Sequence, residues 1–326
     1  MPATRRSLLR ALLAAPVVLA PAPAWARKFS PPDRARRLAA LGALDQLPPA
    51  LQAAFSPGPD DSPIPAPGPQ DWLSQHAEPG QTFGEFVVQR HARPGEIRRK
   101  LTMLPIGAIE GGEWPALTVV ADFAARFFQL PVELAASTTM KDLKARGRDR
   151  GDFYQYDTRT ILAGMKRRVP ADAYTLIGVT IADLYPGPSW NFVFGYASFD
   201  ERVGVYSFAR FDPGFYGERR GADVKRTILR RSLGLLAHEL GHTFGIEHCI
   251  YFHCLMNGCN HLDESDAAPL HLCPVCRRKL QYSINYDPAT RERQLAEFFR
   301  ARGLAADAAR CERLLAAIEA ATPAPP

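Results

Sequence analysis

Cysteine is missing from the first 248 of 326 residues, and all six cysteines fall between Cys249 and Cys311. No thiol of the N-terminal part can therefore act as an inhibitory ligand to a site in the C-terminal third. Long apolar runs are also missing. The longest, Ala11 to Ala20, is well short of the ~20 residues a membrane span needs and ends in prolines, which excludes a stable membrane anchor. Neither sign of charge dominates. The formal net charge is +6, but Arg5, Arg6 and Arg10 supply half of it, and without them 37 basic residues face 34 acidic ones. That balance gives no reason to expect nucleic acid as a partner. No internal repeat occurs at any period. What is present is ordinary: 46% hydrophobic and 23% charged residues, enough for a soluble globular chain with a substantial core.

The first 26 residues have the order of an export signal. A basic start (Thr4 to Arg10) precedes the apolar run, and Ala24-Trp25-Ala26 offers a small-x-small cleavage site. The Arg5-Arg6 pair followed by leucines resembles a twin-arginine signal, and Arg27-Lys28 past the cleavage site fits the same reading. The expectation is a periplasmic or secreted protein that uses the twin-arginine export machinery. Residues 27–69, rich in Pro, Ala and Arg, read as one short helix around Arg34 to Leu44 and then an extended, linker-like stretch, either a propeptide or a surface wrap. Residues 70–326 read as the main folded domain with a C-terminal helix.

From about residue 98 the pattern is that of a compact α/β unit. Leu101 to Ile106 and Leu130 to Ala135 read as strands. Trp114-Pro115 opens a helix whose Leu117, Val120, Ala124, Phe127 and Phe128 share one face. Asp157 to Arg167 is a second helix. Tyr174 to Ile181 is a continuous apolar run suited to a buried central strand. Val203 to Phe208, flanked by Asp200-Glu201 and Asp212-Pro213-Gly214, reads as a shorter strand near an edge. A helix from about Asp223 to Thr243 follows, and Thr290 to Ala321 is helical. The basic run Lys144 to Arg150 reads as a solvated loop. The alternating Trp190, Phe192 and Phe194 read as packed core.

The chemistry is concentrated in His238-Glu239-Leu240-Gly241-His242-Thr243-Phe244-Gly245-Ile246-Glu247-His248. Two histidines four apart on a helix stand one turn above each other, so both imidazoles reach one metal. Glu239 sits beside them, placed to act on a water rather than to ligate. Gly245 permits the left-handed turn that brings His248 back as a third nitrogen ligand. Three histidines leave a fourth tetrahedral position open, as in catalytic zinc. Histidine is scarce here, eight in the chain. Chance assembly of this pattern is on the order of 10⁻⁵ for such a composition. His76, His91, His253, His261 and His271 show no comparable spacing.

Just downstream, Cys249 and Cys254 join the C-x-x-C pair Cys273 and Cys276 in a four-thiolate set of zinc-ribbon type. Two disulfides are the competing reading in an exported protein. A closed zinc cluster would pin the loop that carries His248. Cys259 and Cys311 remain over as free buried thiols, with a disulfide between them the alternative.

These residues resemble the signature of the archaemetzincins. The resemblance runs from His238 to His248 through Cys249, Cys254-Leu255-Met256 and Cys273 to Cys276. Upstream it includes Gln70-Asp71-Trp72-Leu73, Leu184-Tyr185-Pro186 and Ser189 to Gly195. It covers most of residues 70–285. It implies a metzincin-like α/β catalytic domain: a small twisted mixed sheet packed on an active-site helix, with a zinc-clamped C-terminal subdomain. It also implies one catalytic and one structural zinc, and Met256 as the Met-turn residue beneath the imidazoles. The expected activity is hydrolysis of peptide bonds in a peptide or protein substrate, with Glu239 as general base. The strand Val203 to Phe208, if it is the edge, would hold the substrate extended. A non-catalytic, zinc-stabilised periplasmic binding protein is the alternative. It would be expected to lack Glu239.

Overall fold

The computed structural model describes residues 29–322, apart from positions 90, 110 and 199. The expected export signal lies outside these residues.

Among the described residues, eight strands form two sheets. They are β1 (Lys100–Pro105), β2 (Val132–Leu134), β3 (Gly147–Asp149), β4 (Tyr154–Asp157), β5 (Ala173–Thr180), β6 (Asp183–Tyr185), β7 (Gly195–Ser198) and β8 (Val203–Ser207). The larger sheet has the order β2-β1-β5-β8-β7, parallel except for β7, which runs antiparallel to β8 at one edge. The smaller sheet is β3-β4-β6. All eight residues of β5 are buried, as the apolar run requires for a central parallel strand covered on both faces. Strand alternation sorts its side chains between two cores. Ile177 and Val179 join the larger core, while Leu176 joins Leu104, Ile161, Met165, Val203 and Val205 on the opposite face. The pairing with β1 slips between Lys100 and Leu101, and the extra residue this leaves in β5 is Tyr174. Its side chain joins the larger core, where its hydroxyl meets the carbonyl of Thr243 at 2.6 Å.

Eleven helices among the described residues complete the fold. The N-terminal segment contributes α1 (Arg34–Leu41) and α2 (Pro49–Phe55), followed by α3 (Trp72–Gln75) and α4 (Phe83–Val88). Helices α5 (Leu117–Phe128) and α7 (Val224–Thr243) cover the larger core, and α6 (Thr158–Lys166) covers the other face. Then come α8 (Leu262–Ala267), α9 (Pro274–Ile284), α10 (Pro288–Ala301) and α11 (Ala305–Ala321). None of the described helices is long and apolar enough to cross a membrane.

The structure corrects four sequence-based expectations. The Val203 to Phe208 strand lies near an edge, as read, but is not the edge itself: β8 is second from the end of the sheet, between β5 and β7, and is wholly buried. Its charged flanks mark where the strand ends, not where it stands in the sheet. The stretch after Leu44 is not simply extended. Pro49 opens α2, which buries Ala54 and Phe55 against the C-terminal helices, and Asp61 forms a buried ion pair with Arg277 at 2.9 Å. The basic run is not all loop, because Gly147 to Asp149 pair with β4. The C-terminal helix is two, broken at Gly303.

Candidate active site

The last turns of α7 carry His238, Glu239 and His242, and most of this end of the helix is buried against β7 and β8. The two imidazoles lie one turn apart with their Nε2 atoms 3.0 Å from each other. That separation is close to the roughly 3.3 Å between ligands of a tetrahedral ion with ~2.0 Å metal–nitrogen bonds. Gly245, at φ +81°, takes the chain out of the helix in the left-handed region, as the sequence demanded. His248 then returns to within 5.0 and 5.3 Å of the other two rings, centroid to centroid.

Each ring is oriented from behind. The Nδ1 of His238 meets the Leu255 carbonyl at 2.9 Å, that of His242 the Ile246 carbonyl at 2.7 Å, and that of His248 the Glu78 carboxylate at 2.7 Å. With every Nδ1–H donating outward, the Nε2 lone pairs are left to converge, and the potential ligand atoms all lie within 4.8 Å of one another. Burial pushes His238 down to about 4, and burial together with the two neighbouring imidazoles holds His242 well below the usual imidazole range. Both are thus neutral, the form that binds metal.

Glu239 is 6% exposed, and burial alone lifts its carboxyl to about 8. Positive charge held by the imidazoles would favour the carboxylate and draw that value down. The residue facing it is Gly195 on β7, where an added Cβ would stand 2.4 Å from Oε1.

Behind the histidines the four sulfurs of Cys249, Cys254, Cys273 and Cys276 gather within 4.8 Å, all buried and none in a disulfide. Cys249 and Cys273 are 3.6 Å apart, against roughly 3.8 Å for two thiolates on one tetrahedral zinc. Cys273 and Cys276 lie at the start of α9, where helix geometry favours negative charge, and Cys254 Sγ accepts the Cys273 and Met256 N–H groups. Hydrogen bonds from the other three thiols hold Cys249 well below the usual thiol range, whereas burial and the neighbouring sulfurs raise Cys273. Such a set can hold a closed, tetrahedral zinc. It is wired to the histidines, since the Cys249 N–H donates to the Met256 carbonyl (2.7 Å) and the adjacent Leu255 carbonyl orients His238. Met256 itself packs against Gly241, where a Cβ would lie 2.5 Å from its sulfur.

The histidines open into a cleft of about 660 Å³. Trp190, Phe192 and Phe194 line this cleft, so they are not simply core, and Trp190 is 41% exposed. Their strand-like alternation is real, but the loop that carries them has the cleft on one side. Arg148, from the basic run, stacks over Tyr185 and donates to the Trp190 and Asn191 carbonyls, fixing this wall from behind. Trp72 stacks on His76, whose ring is parallel to Trp190. Sequence spacing gave no sign of Glu78, and its one signal is position, six residues after Trp72. His261 caps α8 and meets Asp71 at 3.0 Å. Cys259 borders the cleft, Cys311 is buried in α11, and both thiols are free.

Two imidazoles and a glutamate on one helix, a third imidazole brought back by the turn after it, and an antiparallel edge strand across the cleft define a zinc peptidase of metzincin type. Residues 148–282 match peptidase family M54. Archaemetzincin-2 of Pongo abelii is 34% identical over 278 residues, covering 76% of this chain and 77% of its own length. Archaemetzincin-1 of Mus musculus is 32% identical over 260 residues, covering 69% of this chain and 51% of its own. The crystal structure of archaemetzincin from Methanopyrus kandleri is 27% identical, with a TM-score of 0.44 over 59% of this chain and 99% of that one. The chain belongs to the archaemetzincin family of metallopeptidases.

Proposed function

We propose that His238, His242 and His248 hold one catalytic zinc, that Glu239 is the general base, and that Cys249, Cys254, Cys273 and Cys276 hold a second, structural zinc. The observation that carries this reading is the three-way convergence of Nε2 atoms with each Nδ1 committed elsewhere. A zinc held by His238, His242 and His248 would supply Lewis acidity toward the scissile carbonyl and the attacking water. Glu239 takes the proton of the attacking water and passes it to the leaving amine. The edge strand β7 offers main-chain groups to an extended peptide, a role the sequence had suggested for β8. Met256 is the Met-turn residue, and the Cys249 to Asn257 loop, knitted by the Asn257 side chain, keeps it in place. Residues 1–26 direct the chain to the twin-arginine machinery and out of the cytoplasm. The binding-protein alternative is not favoured, because Glu239 is retained and faces the cleft.

The test compares wild type with Glu239→Gln against a broad peptide library, both loaded with zinc. The variant keeps volume and all metal ligands, so zinc content and thermal stability should match wild type while turnover falls ~10²–10⁴-fold. Equal turnover would refute the mechanism. A wild type that holds zinc yet cleaves nothing would instead favour the binding protein.

A further inference from the structure

We propose that Gly195 is a positioning residue for Glu239, and that its missing side chain is what allows the carboxylate to stand beside the three imidazoles. This rests on the role of Glu239 as general base. A Cβ at position 195 would meet Oε1 at 2.4 Å, Cδ at 2.8 Å and Cγ at 2.9 Å, all three on that one side chain. Real Cβ contacts do not come so close, so either the strand or the glutamate must move.

The strand is the less free of the two. Gly195 pairs with Tyr206 in the β7–β8 ladder, and Tyr206 is fully buried. Just before that pairing, the Ser207 N–H donates to the Phe194 carbonyl (2.9 Å) and the Val193 N–H to the Leu184 carbonyl (3.0 Å). Glu239, by contrast, has free torsions along its side chain. Backbone conformation does not explain the glycine, because position 195 is not among the residues with positive φ and any L-residue fits its extended geometry. Space is the remaining reason. The fold should therefore tolerate a methyl group here, and the cost should fall on the carboxylate's position and hence on the chemical step.

The experiment is a cycle of Gly195→Ala, Glu239→Asp and the double variant in the zinc-loaded full chain. Gly195→Ala should keep zinc content and KM within about threefold of wild type, while kcat falls ~10²-fold or more, since a displaced base contributes little. Glu239→Asp withdraws the carboxylate by one methylene and relieves the two shortest contacts, leaving the one at Cγ, so in that background the added methyl should cost clearly less than in the parent chain. Wild-type kcat in Gly195→Ala, or a double variant whose loss is the product of the two single losses, would overturn the proposal. If Gly195→Ala fails to fold, Gly195→Ala with Glu239→Ala decides. Recovery of folding places the clash on Glu239, and continued failure means the strand itself needs glycine, which also overturns it. An active Glu239→Gln would instead remove the base assignment on which the proposal stands.

Discussion

Replacing Glu78 by alanine should weaken zinc at the three-histidine site by ~10–100-fold, the usual effect of removing a carboxylate that orients a metal-binding histidine. One carboxylate oxygen accepts both the His248 Nδ1–H at 2.7 Å and the Trp72 Nε1–H at 2.6 Å, in a half-buried setting. Alanine leaves both donors unpaired, lets the His248 ring rotate, and removes the negative charge that strengthens Nε2 as a donor. The tenfold to hundredfold loss corresponds to ~1.4–2.7 kcal/mol, within what one charge-assisted hydrogen bond contributes. Glu78→Gln keeps an acceptor but not the charge and should fall at the lower end of the range. The assay is competition for zinc with a chelator of known affinity, followed by turnover at saturating zinc. In that assay Glu78→Gln should regain most of its activity. A zinc affinity within twofold of wild type for Glu78→Ala would refute the argument.

Purified protein should carry two zinc ions with no disulfide by intact mass, and mild chelation should remove the histidine-bound ion first because its coordination is open to solvent. One zinc together with two disulfides would rule out the cysteine cluster. Asp61→Ala should destabilise the fold by ~3–5 kcal/mol in denaturant titration, since it strands the buried Arg277 guanidinium. A loss below ~1 kcal/mol would mean that the N-terminal segment is not held by this pair. Changing both Arg5 and Arg6 to lysine should trap the precursor inside the cell, and undiminished export would refute the twin-arginine reading.

The metal-binding groups were legible because their spacing is the signal. A helix fixes His238 and His242, a glycine turn fixes His248, and C-x-x-C fixes one end of the sulfur cluster. Glu78 was not legible, since a carboxylate that meets its histidine 170 residues away has no local period and is one of 34 acidic side chains. Strand β5 could be read because burial on both faces leaves an unbroken apolar run. The true edge could not. Strand β7 is four residues long, and the aromatics before it alternate as a core strand would while lining a cleft. Proline misled in residues 27–69, because Pro49 starts α2 rather than a linker. Arg148 looked like a solvated charge until its carbonyl partners, 42 and 43 residues on, were visible.

The Glu78–His248 contact also dictates when the enzyme can become competent during its own synthesis. A ribosome delivers Glu78 long before His248, and the cysteines that brace the His248 loop arrive later still. Helix α2, near the start, packs against the C-terminal helices α9, α10 and above all α11. A nascent chain therefore carries the fragments of a protease with no means of assembling them. Proteolytic capacity can arise only once the C-terminal helices have been synthesised and packed against α2.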